Sequence, residues 1–330
     1  MQIHDWGEDR FIDYLSQTFS VKKEGILGIG DDCAVIPFDD KRSYLVTTDA
    51  LVEGVHFLKE QISPLTLGVK TVAVNVSDIV AMGGTPRYAF LSIAIPAGTE
   101  QVWLTSFIQG IKEACEKWGI SLLGGDTVGS KRDLFLNLTL VGTAATDHIK
   151  YRSGAKVNDI ICVSGYLGDS AAGLKVLGAS LSSSQANDQL IYSHFHPQPN
   201  PEEGKWLAMR HEVHAMMDLS DGLHCDLTRL LKASNCGAVI EMQSIPLSEP
   251  LQEVSARKGW NAMEIAIAGG EDYCLLLTVD KESFKQLESA FLTAFKEPLY
   301  PIGWITDSRV LEYQENGRSM NISIDSFKHF

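Results

Sequence analysis

Six short segments of the chain place carboxylates beside glycines or hydroxyl groups, a combination suited to binding metal ions and phosphate. They are GIGDD at 28–32, TTD at 47–49, NVSD at 75–78, GGDT at 124–127, DLSDG at 218–222 and GGEDY at 269–273. Mg²⁺ takes oxygen ligands, usually one or two protein carboxylates together with water and substrate phosphate. Each segment alone could be an ordinary polar turn or a helix cap. Six of them together favour a magnesium-dependent enzyme that handles ATP.

Three of these segments lie where the predicted secondary structure would aim their side chains. Asn75 and Asp78 are three residues apart in an otherwise apolar helix, so they share a face and can point into a cleft. The segment at 124–127 follows a strand and is expected to be a flexible turn, the usual position of a ligand site in an α/β protein. Asp221 could cap the helix that follows it, which leaves Ser220 free to hydrogen-bond phosphate.

Several familiar catalytic signatures are absent, and the cysteines and histidines show no metal-binding pattern. The chain has neither the G-x-x-x-x-G-K-[ST] pattern of P-loop enzymes nor the H-R-D signature of protein kinases. The six cysteines form no C-x-x-C pair, which disfavours zinc and a disulfide framework and favours reduced thiols. The histidines at 194, 196, 211 and 214 lack metal-binding spacing, and we expect them to have surface or packing roles.

The charge of the chain limits its partners. A formal charge of -14 and a pI near 5.1 disfavour nucleic acid and anionic membranes, whose binding needs positive charge. ATP is compatible with this charge because divalent cations bridge carboxylates to phosphates. The polar, acidic segment at 1–10 lacks the features of a signal peptide, and no uninterrupted apolar run is long enough to span a bilayer. We therefore expect a cytoplasmic protein.

Hydrophobic periodicity predicts an α/β arrangement in the first half of the chain. Helices are predicted at 8–19, 64–82 and 100–118, and strands at 33–38, 44–48, 87–95, 120–123 and 133–144. The first two strands are expected to form a hairpin. The length of 330 residues exceeds what one hydrophobic core usually supports, so we expect two domains. The polar segment at 145–154 is expected to link them, which gives domains at 1–148 and 149–330.

The second half mixes helices and strands in the same way but contains a longer irregular segment. Strands are predicted at 159–164, 238–242 and 273–279, an ordered segment at 215–221, and helices at 170–177, at 202–211 and from about 222 to 233. The segment at 178–201 contains three prolines and a run of serines. We expect it to be a loop with one short helix at most.

In chain order, GIGDDCAVI, TTDALVEGVHF, VNVSDIVAMGGTP, GGDT, DLSDGL and GGEDYCLLL resemble the motifs of the thiamine-monophosphate kinase family, within the aminoimidazole-ribonucleotide synthetase-like (PurM-like) superfamily. The resemblance extends over nearly the whole chain, and VEGVHF at 52–57 together with GGEDY at 269–273 favours this family over its superfamily relatives. It implies two PurM-like α/β domains. The first would form a homodimer through its sheet, and the active cleft would lie between the halves.

The resemblance also implies a reaction, the direct transfer of the γ-phosphoryl group of ATP to the phosphate of thiamine monophosphate. Such a transfer depends on alignment and on several Mg²⁺ ions and needs no covalent protein nucleophile. The metal ligands or their supports implied by the resemblance are Asp31, Thr47, Thr48, Asp49, Asp78, Asp126, Asp218 and Asp221. The implied nucleotide contacts are Gly125, Asp126, Arg152, Ser220 and Ile108. The implied thiamine-phosphate contacts are His56, Glu271 and Phe327. Asp31 is the bridging ligand in this assignment.

Two alternatives stay open at this point. Another enzyme of the superfamily would use the ATP site on a different acceptor. The chain lacks both the C-terminal cysteine expected of a hydrogenase-maturation protein and the N-terminal cysteine or selenocysteine and lysine expected of a selenophosphate synthetase. The other alternative is an inactive, nucleotide-sensing dimer, against which the presence of both His56 and Glu271 weighs.

Overall fold

The computed structural model describes residues 7–19, 21 and 23–320, and this part of the chain forms ten α-helices and twelve strands. The helices are α1 (Glu8–Thr18), α2 (Pro64–Ala81), α3 (Gln101–Trp118), α4 (Asp169–Gly178), α5 (Gln185–Phe195), α6 (Pro201–Ala208), α7 (Leu223–Ser234), α8 (Glu249–Lys258), α9 (Ala262–Ala268) and α10 (Phe284–Phe295). The strands are β1 (Ala34–Pro37), β2 (Arg42–Val52), β3 (Thr85–Pro96), β4 (Ser121–Ser130), β5 (Phe135–Ala145), β6 (Ile160–Val163), β7 (Val213–Asp218), β8 (Gly237–Glu241), β9 (Leu275–Val279), β10 (Tyr300–Thr306), β11 (Leu311–Glu315) and β12 (Arg318–Met320). The predicted α/β class is confirmed.

The first five strands form one sheet in the order β1-β2-β5-β3-β4. β1 and β2 pair antiparallel, with Ala34 opposite Val46, so the predicted hairpin is confirmed. β5 pairs antiparallel with both β2 and β3, while β3 and β4 run parallel. β4 therefore forms an edge of this sheet, with one side of its backbone unpaired by other described strands.

The other seven strands form a second sheet in the order β12-β11-β8-β10-β6-β9-β7. Most of its neighbours pair antiparallel, and β8 and β11 run parallel. β9 lies between β6 and β7, and every residue of Leu275–Val279 is buried. Successive side chains of a strand point to opposite faces of its sheet, so both faces of this sheet are covered at β9.

Helix α2 lies between the two sheets and contacts both. It begins with Pro64 after the cap residue Ser63, whose hydroxyl accepts a hydrogen bond from the amide of Thr66 at 3.1 Å. The helix is long and apolar enough to cross a membrane, but 72% of its apolar window is buried inside the fold. Its apolar residues join one hydrophobic cluster that extends from Val35 in β1 to Phe291 in α10. α2 is thus a core helix shared by both halves.

Two glycines allow α2 and α3 to pack unusually closely. A Cβ atom on Gly110 of α3 would lie 1.9 Å from the carbonyl oxygen of Leu65, and one on Gly68 of α2 would lie 2.2 Å from that of Phe107. Both distances are far shorter than a carbon–oxygen contact allows. Any larger side chain at these two positions would push the helices apart.

The structure differs from the sequence-based expectations at two places. The 178–201 segment contains the eleven-residue helix α5, whose cap residue Ser184 accepts a hydrogen bond from the amide of Asn187. The segment at 124–127, expected to be a turn, lies inside strand β4 and pairs with β3. Gly125 makes this pairing possible, since at φ +149° a Cβ atom there would lie 1.7 Å from the carbonyl oxygen of Leu91.

Candidate active site

Three buried or half-buried carboxylates from distant parts of the chain meet between the two sheets. Asp32 precedes β1, Asp78 lies in the last turn of α2, and Asp218 ends β7. One carboxylate oxygen of each lies within 4.8 Å of those of the other two. We call this group the carboxylate cluster. Its arrangement suits a divalent cation, which takes carboxylate oxygens as ligands.

Hydrogen bonds hold the members of the carboxylate cluster in place. The hydroxyl of Thr47 donates to Asp78, and the hydroxyl of Ser77 donates to Asp218 at 2.6 Å. The guanidinium of Arg152 donates to Oδ1 of Asp32 at 2.5 Å. The other oxygen of Asp32, Oδ2, is buried and has no hydrogen-bond partner among the described residues. A buried carboxylate oxygen without a partner is costly, so it is a ready ligand for a cation.

Burial raises the pKa of all three carboxylates. For Asp78 and Asp218, burial is the main cause, and the neighbouring carboxylates raise the pKa further. For Asp32, Arg152 opposes the effect of burial without cancelling it. A bound cation would reverse these shifts because it favours the charged form of each group.

Asp31 lies outside the carboxylate cluster. Its two oxygens accept hydrogen bonds from the backbone amide of Arg152 at 3.3 and 3.2 Å, and one also accepts from the amide of Asp32. Burial, followed by the charge of Asp32, raises the pKa of Asp31 to about 7. The sequence-based assignment chose Asp31 as the bridging ligand, whereas the structure brings Asp32 to the other carboxylates.

A second pair of carboxylates, Asp49 and Asp221, lines the cleft beside Asp78. The backbone amide of Asp49 donates to Oδ1 of Asn75 at 3.1 Å, so the polar face of α2 fixes the end of β2. Burial and then the charge of Asp221 raise the pKa of Asp49 to about 6. Asp221 itself is paired with Arg229. Because the charge of Asp221 disfavours ionisation of Asp49, a cation bound beside both carboxylates would be favourable.

The loops at 218–222 and 269–273 are joined by backbone hydrogen bonds. The amide of Glu271 donates to the carbonyl of Ser220 at 2.7 Å, and the amide of Tyr273 donates to the carbonyl of Leu219 at 2.8 Å. A Cβ atom on Gly270 would lie 2.4 Å from the Ser220 carbonyl oxygen, so the two loops touch along their backbones. This contact places Ser220 directly beside Glu271.

Asp226, in the first turn of α7, fixes the 218–222 loop from behind. Its Oδ2 accepts hydrogen bonds from the amides of Ser220, Asp221 and Gly222, each at 3.0 Å, and its Oδ1 pairs with Arg229 at 3.0 Å. Burial, followed by the charge of Asp221, raises the pKa of Asp226 to about 7. The sequence analysis did not identify this residue. Its only sequence signal was a carboxylate in the first turn of a predicted helix.

A cleft of about 750 Å³ is lined by Asp78 of the carboxylate cluster, by Asp49 and Asp221, and by parts of both loops. Part of its lining is acidic and polar and includes Asp49, Asp78, Ser220 and Asp221. Another part is apolar or aromatic and is formed by Val55, His56, Phe57, Leu58, Leu174 and Phe195. The cleft therefore suits a molecule that combines phosphate with a ring system.

His56 and Glu271 both line this cleft. His56 accepts a hydrogen bond at Nδ1 from the amide of Val52 at 3.0 Å, which sets the orientation of its ring at the end of β2. Glu271 has φ +65°, a left-handed conformation that non-glycine residues seldom adopt. Its Oε2 lies 3.1 Å from Nζ of Lys70 and 3.2 Å from Nδ1 of His194.

Lys70 and His194 were not predicted to contact the site. His194 was expected to have a surface or packing role, and the structure shows a buried ring beside Glu271. Burial and then the charge of Lys70 lower the pKa of His194 to about 4. Lys70 could have been noticed as the single charged residue within the apolar first part of its helix.

Several of the predicted site residues lie away from the cleft. Thr48 contacts Asn137 and Thr139 of β5 on an exposed face of the first sheet. Gly125, Asp126 and Ile108 are exposed on β4 and α3. Asp126 aligns with Ala50 of β2 across β3 and β5, so these two positions are about 14 Å apart, three strand spacings. Phe327 lies outside the described residues.

The family models that match this chain cover most of its length. The model described as AIR synthase related protein, N-terminal domain, matches residues 30–144. The model described as AIR synthase related protein, C-terminal domain, matches residues 156–315. The carboxylate cluster takes Asp32 and Asp78 from the first matched range and Asp218 from the second.

The curated proteins most similar to this chain include several thiamine-monophosphate kinases. The chain is 37% identical to the one from Buchnera aphidicola subsp. Acyrthosiphon pisum (strain APS) over 311 residues, which are 92% of this chain and 93% of that protein. It is 36% identical to the one from Escherichia coli (strain K12) over 320 residues, which are 96% of each chain.

Solved structures of thiamine-monophosphate kinases are also similar to this chain. A structure described as AaThiL complexed with AMPPCP and TMP has a TM-score of 0.88 and 32% identity, and the match covers 100% of this chain and 99% of that chain. E. coli HypE, a hydrogenase maturation protein, has a TM-score of 0.70 at 18% identity, over 97% and 98% of the two chains. The likeness to HypE concerns the fold alone.

Proposed function

Because the chain belongs to the thiamine-monophosphate kinase family, within the AIR synthase related proteins, we infer that it phosphorylates thiamine monophosphate to thiamine diphosphate with ATP. The solved relative that binds AMPPCP and TMP supports the two substrates. The reaction places the chain among ATP-dependent phosphotransferases with a phosphate group as acceptor.

The observation that carries this function is the composition of the 750 Å³ cleft. Its carboxylates suit two groups of phosphates held through cations, and its apolar and aromatic side chains suit a heteroaromatic ring. Thiamine monophosphate carries both parts, a phosphate and two linked rings.

Mg²⁺ fits the residues that are present. All the candidate ligands are oxygens, and the orphaned Oδ2 of Asp32 lacks the partner that a cation would supply. We propose that Asp32, Asp78 and Asp218 hold one ion and that Asp49 and Asp221 hold another, with Thr47 as a support. Bound Mg²⁺ would neutralise phosphate charge in the transition state. Asp31 would act through the backbone of Arg152 and not as a direct ligand.

In the proposed reaction, an oxygen of the thiamine monophosphate phosphate attacks the γ-phosphorus of ATP. A new P–O–P bond forms while the bond between the γ-phosphorus and the β,γ-bridging oxygen breaks, and that oxygen leaves with ADP. The chain's own residues orient the reactants. Ser220 and Arg152 are the proposed contacts to nucleotide phosphate. Nε and Nη2 of Arg152 already donate to Asp32, so its positive charge, and not a free fork, would attract phosphate. His56 and Glu271 are the proposed contacts to thiamine monophosphate.

We also propose a homodimer formed through the first sheet. Nearly all of β4 is exposed, and Leu122, Leu123 and Val128 place apolar side chains on both faces of this edge strand. Such an edge favours pairing with a second chain. Asp126 lies on this strand about 14 Å from β2 of its own chain, which supports a role for it in the cleft of the partner. Gly125 would approach the nucleotide in the same way.

We propose three further assignments: a nucleotide contact at Ile108, a domain boundary near residue 148 and a cytoplasmic location. Ile108 is exposed on α3 and would contact the nucleotide only in the dimer. The last strand of the first sheet ends at Ala145, and the first strand of the second sheet begins at Ile160. This break supports a domain boundary near residue 148. A cytoplasmic location is supported by the six cysteines, all described and all unpaired.

Product analysis tests the function directly. Purified protein is incubated with Mg²⁺, ATP and thiamine monophosphate, and thiamine diphosphate and ADP are quantified by chromatography. We expect equal amounts of the two products, and no thiamine diphosphate when Mg²⁺ is chelated. Thiamine replaces thiamine monophosphate in the matched control, which should give no turnover because the acceptor phosphate is missing.

Other results would favour other functions. ATP binding without turnover would favour a nucleotide-sensing protein. Release of ADP with thiamine monophosphate unchanged would indicate a different acceptor, as in the other enzymes of the superfamily.

A further inference from the structure

Lys70 is a buried ammonium group that the proposed reaction does not use. Its side chain is 2% exposed, and it lies on α2, two helical turns before Ser77. Its Nζ donates one hydrogen bond to Oε2 of Glu271 and another to the backbone carbonyl of His194, both at 3.1 Å. The lysine thus joins three separate elements, α2, the 269–273 loop and the end of α5.

The contact fixes one oxygen of Glu271 and leaves the other available. Oε2 receives Lys70 and also lies 3.2 Å from Nδ1 of His194, whereas Oε1 accepts no hydrogen bond from the described part of the chain. The Glu271 side chain is 25% exposed and lines the cleft. A carboxylate held by one oxygen has little rotational freedom, so the direction of Oε1 is set before a ligand arrives.

Helix α2 links this contact to the carboxylate cluster. Lys70 and Ser77 are seven residues apart and therefore lie on the same face of the helix. Ser77 donates to Asp218, and Lys70 donates to Glu271. With a rise of 1.5 Å per residue, the Cα atoms of Lys70 and Ser77 are about 10 Å apart along the axis. One rigid helix thereby sets the spacing between the cation end of the cleft and Glu271.

Stability alone is a poor reason for this arrangement. Burying an ammonium group costs several kcal/mol, and its pairing with a carboxylate seldom returns more than an apolar pair of the same volume would. The benefit must lie in geometry. Thiamine monophosphate carries a cationic ring and an amino group, both of which a fixed carboxylate oxygen attracts.

We propose that Lys70 is a positioning residue that holds Glu271 so that its free oxygen meets the thiamine moiety of the acceptor. This inference rests on the proposed function and deepens it. It predicts that loss of Lys70 weakens the use of thiamine monophosphate and leaves the use of ATP nearly unchanged, since Lys70 touches no residue assigned to the nucleotide.

The test is a double-mutant cycle of Lys70→Met and Glu271→Gln, read as KM for thiamine monophosphate, KM for ATP and kcat. We expect each single variant to raise KM for thiamine monophosphate about tenfold and KM for ATP less than about twofold. Lys70→Met in the Glu271→Gln background should add less than about twofold, because the two residues act through one contact. A further tenfold increase in the double variant would overturn the proposal.

Lys150→Met is the matched control. This half-buried lysine likewise donates two hydrogen bonds, to the backbone carbonyls of Arg210 and Val213, but it is not among the residues that line the cleft. Its replacement should lower the melting temperature without changing either KM. If it raised KM for thiamine monophosphate as much as Lys70→Met, the effect would be one of general stability and the proposal would fail.

The double variant and a binding measurement cover the cases in which Lys70→Met does not fold or the protein is inactive. If Lys70→Met alone does not fold, Lys70→Met/Glu271→Gln removes both charges, and its comparison with Glu271→Gln gives the same answer. Binding of thiamine monophosphate by calorimetry is measured alongside turnover. Wild-type protein that binds this ligand but makes no thiamine diphosphate would refute the proposed function only, whereas equal binding by wild type and Lys70→Met would refute the role of Lys70.

Discussion

Asp31 and Asp32 are adjacent in sequence, but their carboxylate oxygens have different hydrogen-bond partners. Arg152 holds Oδ1 of Asp32 at 2.5 Å and leaves Oδ2 buried without a partner, whereas both oxygens of Asp31 accept backbone hydrogen bonds. A metal ion would give Oδ2 of Asp32 the partner that it lacks, whereas at Asp31 it would have to displace existing hydrogen bonds. The local geometry therefore favours Asp32 over Asp31 as the proposed metal ligand.

A pair of matched substitutions tests this assignment. Asp32→Asn should lower kcat/KM at least about 100-fold and raise the Mg²⁺ concentration needed for half-maximal activity. Even the loss of a group that only hydrogen-bonds to a metal ligand lowers metal affinity or activity about 10–100-fold. Asp31→Asn should cost less than about tenfold, because an amide oxygen still accepts from the backbone of Arg152. Turnover is measured across a Mg²⁺ titration.

The reverse order of the two effects would reject Asp32 as the ligand. Circular dichroism of both variants provides the control, because Asn at position 32 also loses the ion pair with Arg152. Only folded variants are compared.

The packing of α2 against α3 depends on backbone contact at Gly110 and Gly68. Gly110→Ala would place a methyl group 1.9 Å from the carbonyl oxygen of Leu65. We expect a net loss of about 1–3 kcal/mol of unfolding free energy, because the overpacking exceeds the roughly 1 kcal/mol gained in helix propensity. Urea unfolding followed by circular dichroism measures it.

Gly178→Ala is the control for this substitution. Gly178 is also helical, at the end of α4, but a Cβ atom there would meet nothing within 4 Å. This variant should be as stable as wild type or slightly more stable. Equal destabilisation by the two variants would show that the short distance at Gly110 does not matter.

Much of the element pattern could be predicted because it depends on local signals. Pro64 at the start of α2 and Gly119 at the end of α3 marked those helices within one residue. The Asn75 and Asp78 spacing correctly indicated a polar face within α2. Helix α5 was underestimated because its neighbouring prolines and serines masked a Ser184 cap.

The parts that could not be predicted depend on contacts between distant residues. The choice between Asp31 and Asp32 is made by Arg152, about 120 residues later in the chain. The Lys70–Glu271 pair joins residues 201 positions apart. The extension of β4 through Gly125 depends on the backbone of Leu91 in the neighbouring strand. No periodicity within a single segment carries this information.

At the scale of the whole molecule, the proposed dimer predicts a mass of about 72 kDa, twice the 36.2 kDa of one chain. Leu123→Lys places a charge on β4 where a second chain would pair, so it should shift the protein to monomer. It should also reduce activity, since the partner's Asp126 would be lost from the cleft. Sedimentation velocity and turnover are measured on the same sample.

Leu292→Lys, on α10, is the control for the dimer. Leu292 is 48% exposed and Leu123 is 58% exposed, so both substitutions cost little within one chain. A wild-type monomer, or a fully active monomeric Leu123→Lys variant, would refute the proposal that the partner contributes to the site.

The acidic groups concentrated between the sheets should make the stability of the whole molecule depend on pH and, if they hold the proposed ions, on Mg²⁺. The pKa is raised from 3.8 to about 7 for Asp31 and to about 6 for Asp49. Between pH 3.8 and these values the folded chain binds more protons than the unfolded chain, so stability falls as pH rises through this window. For Asp49 the loss is on the order of 3 kcal/mol.

Mg²⁺ should oppose this loss because, at the proposed sites, it would bind the charged carboxylates of the folded chain. We expect the melting temperature of chelator-treated protein to fall between about pH 5 and pH 8. Added Mg²⁺ should raise it by several degrees at about pH 8 and by much less at about pH 5, where protons compete for the same oxygens. Differential scanning calorimetry with Mg²⁺, with K⁺ at equal ionic strength, and with chelator separates specific binding from screening. An equal increase with K⁺, or an increase independent of pH, would mean that the carboxylates between the sheets do not form the metal site.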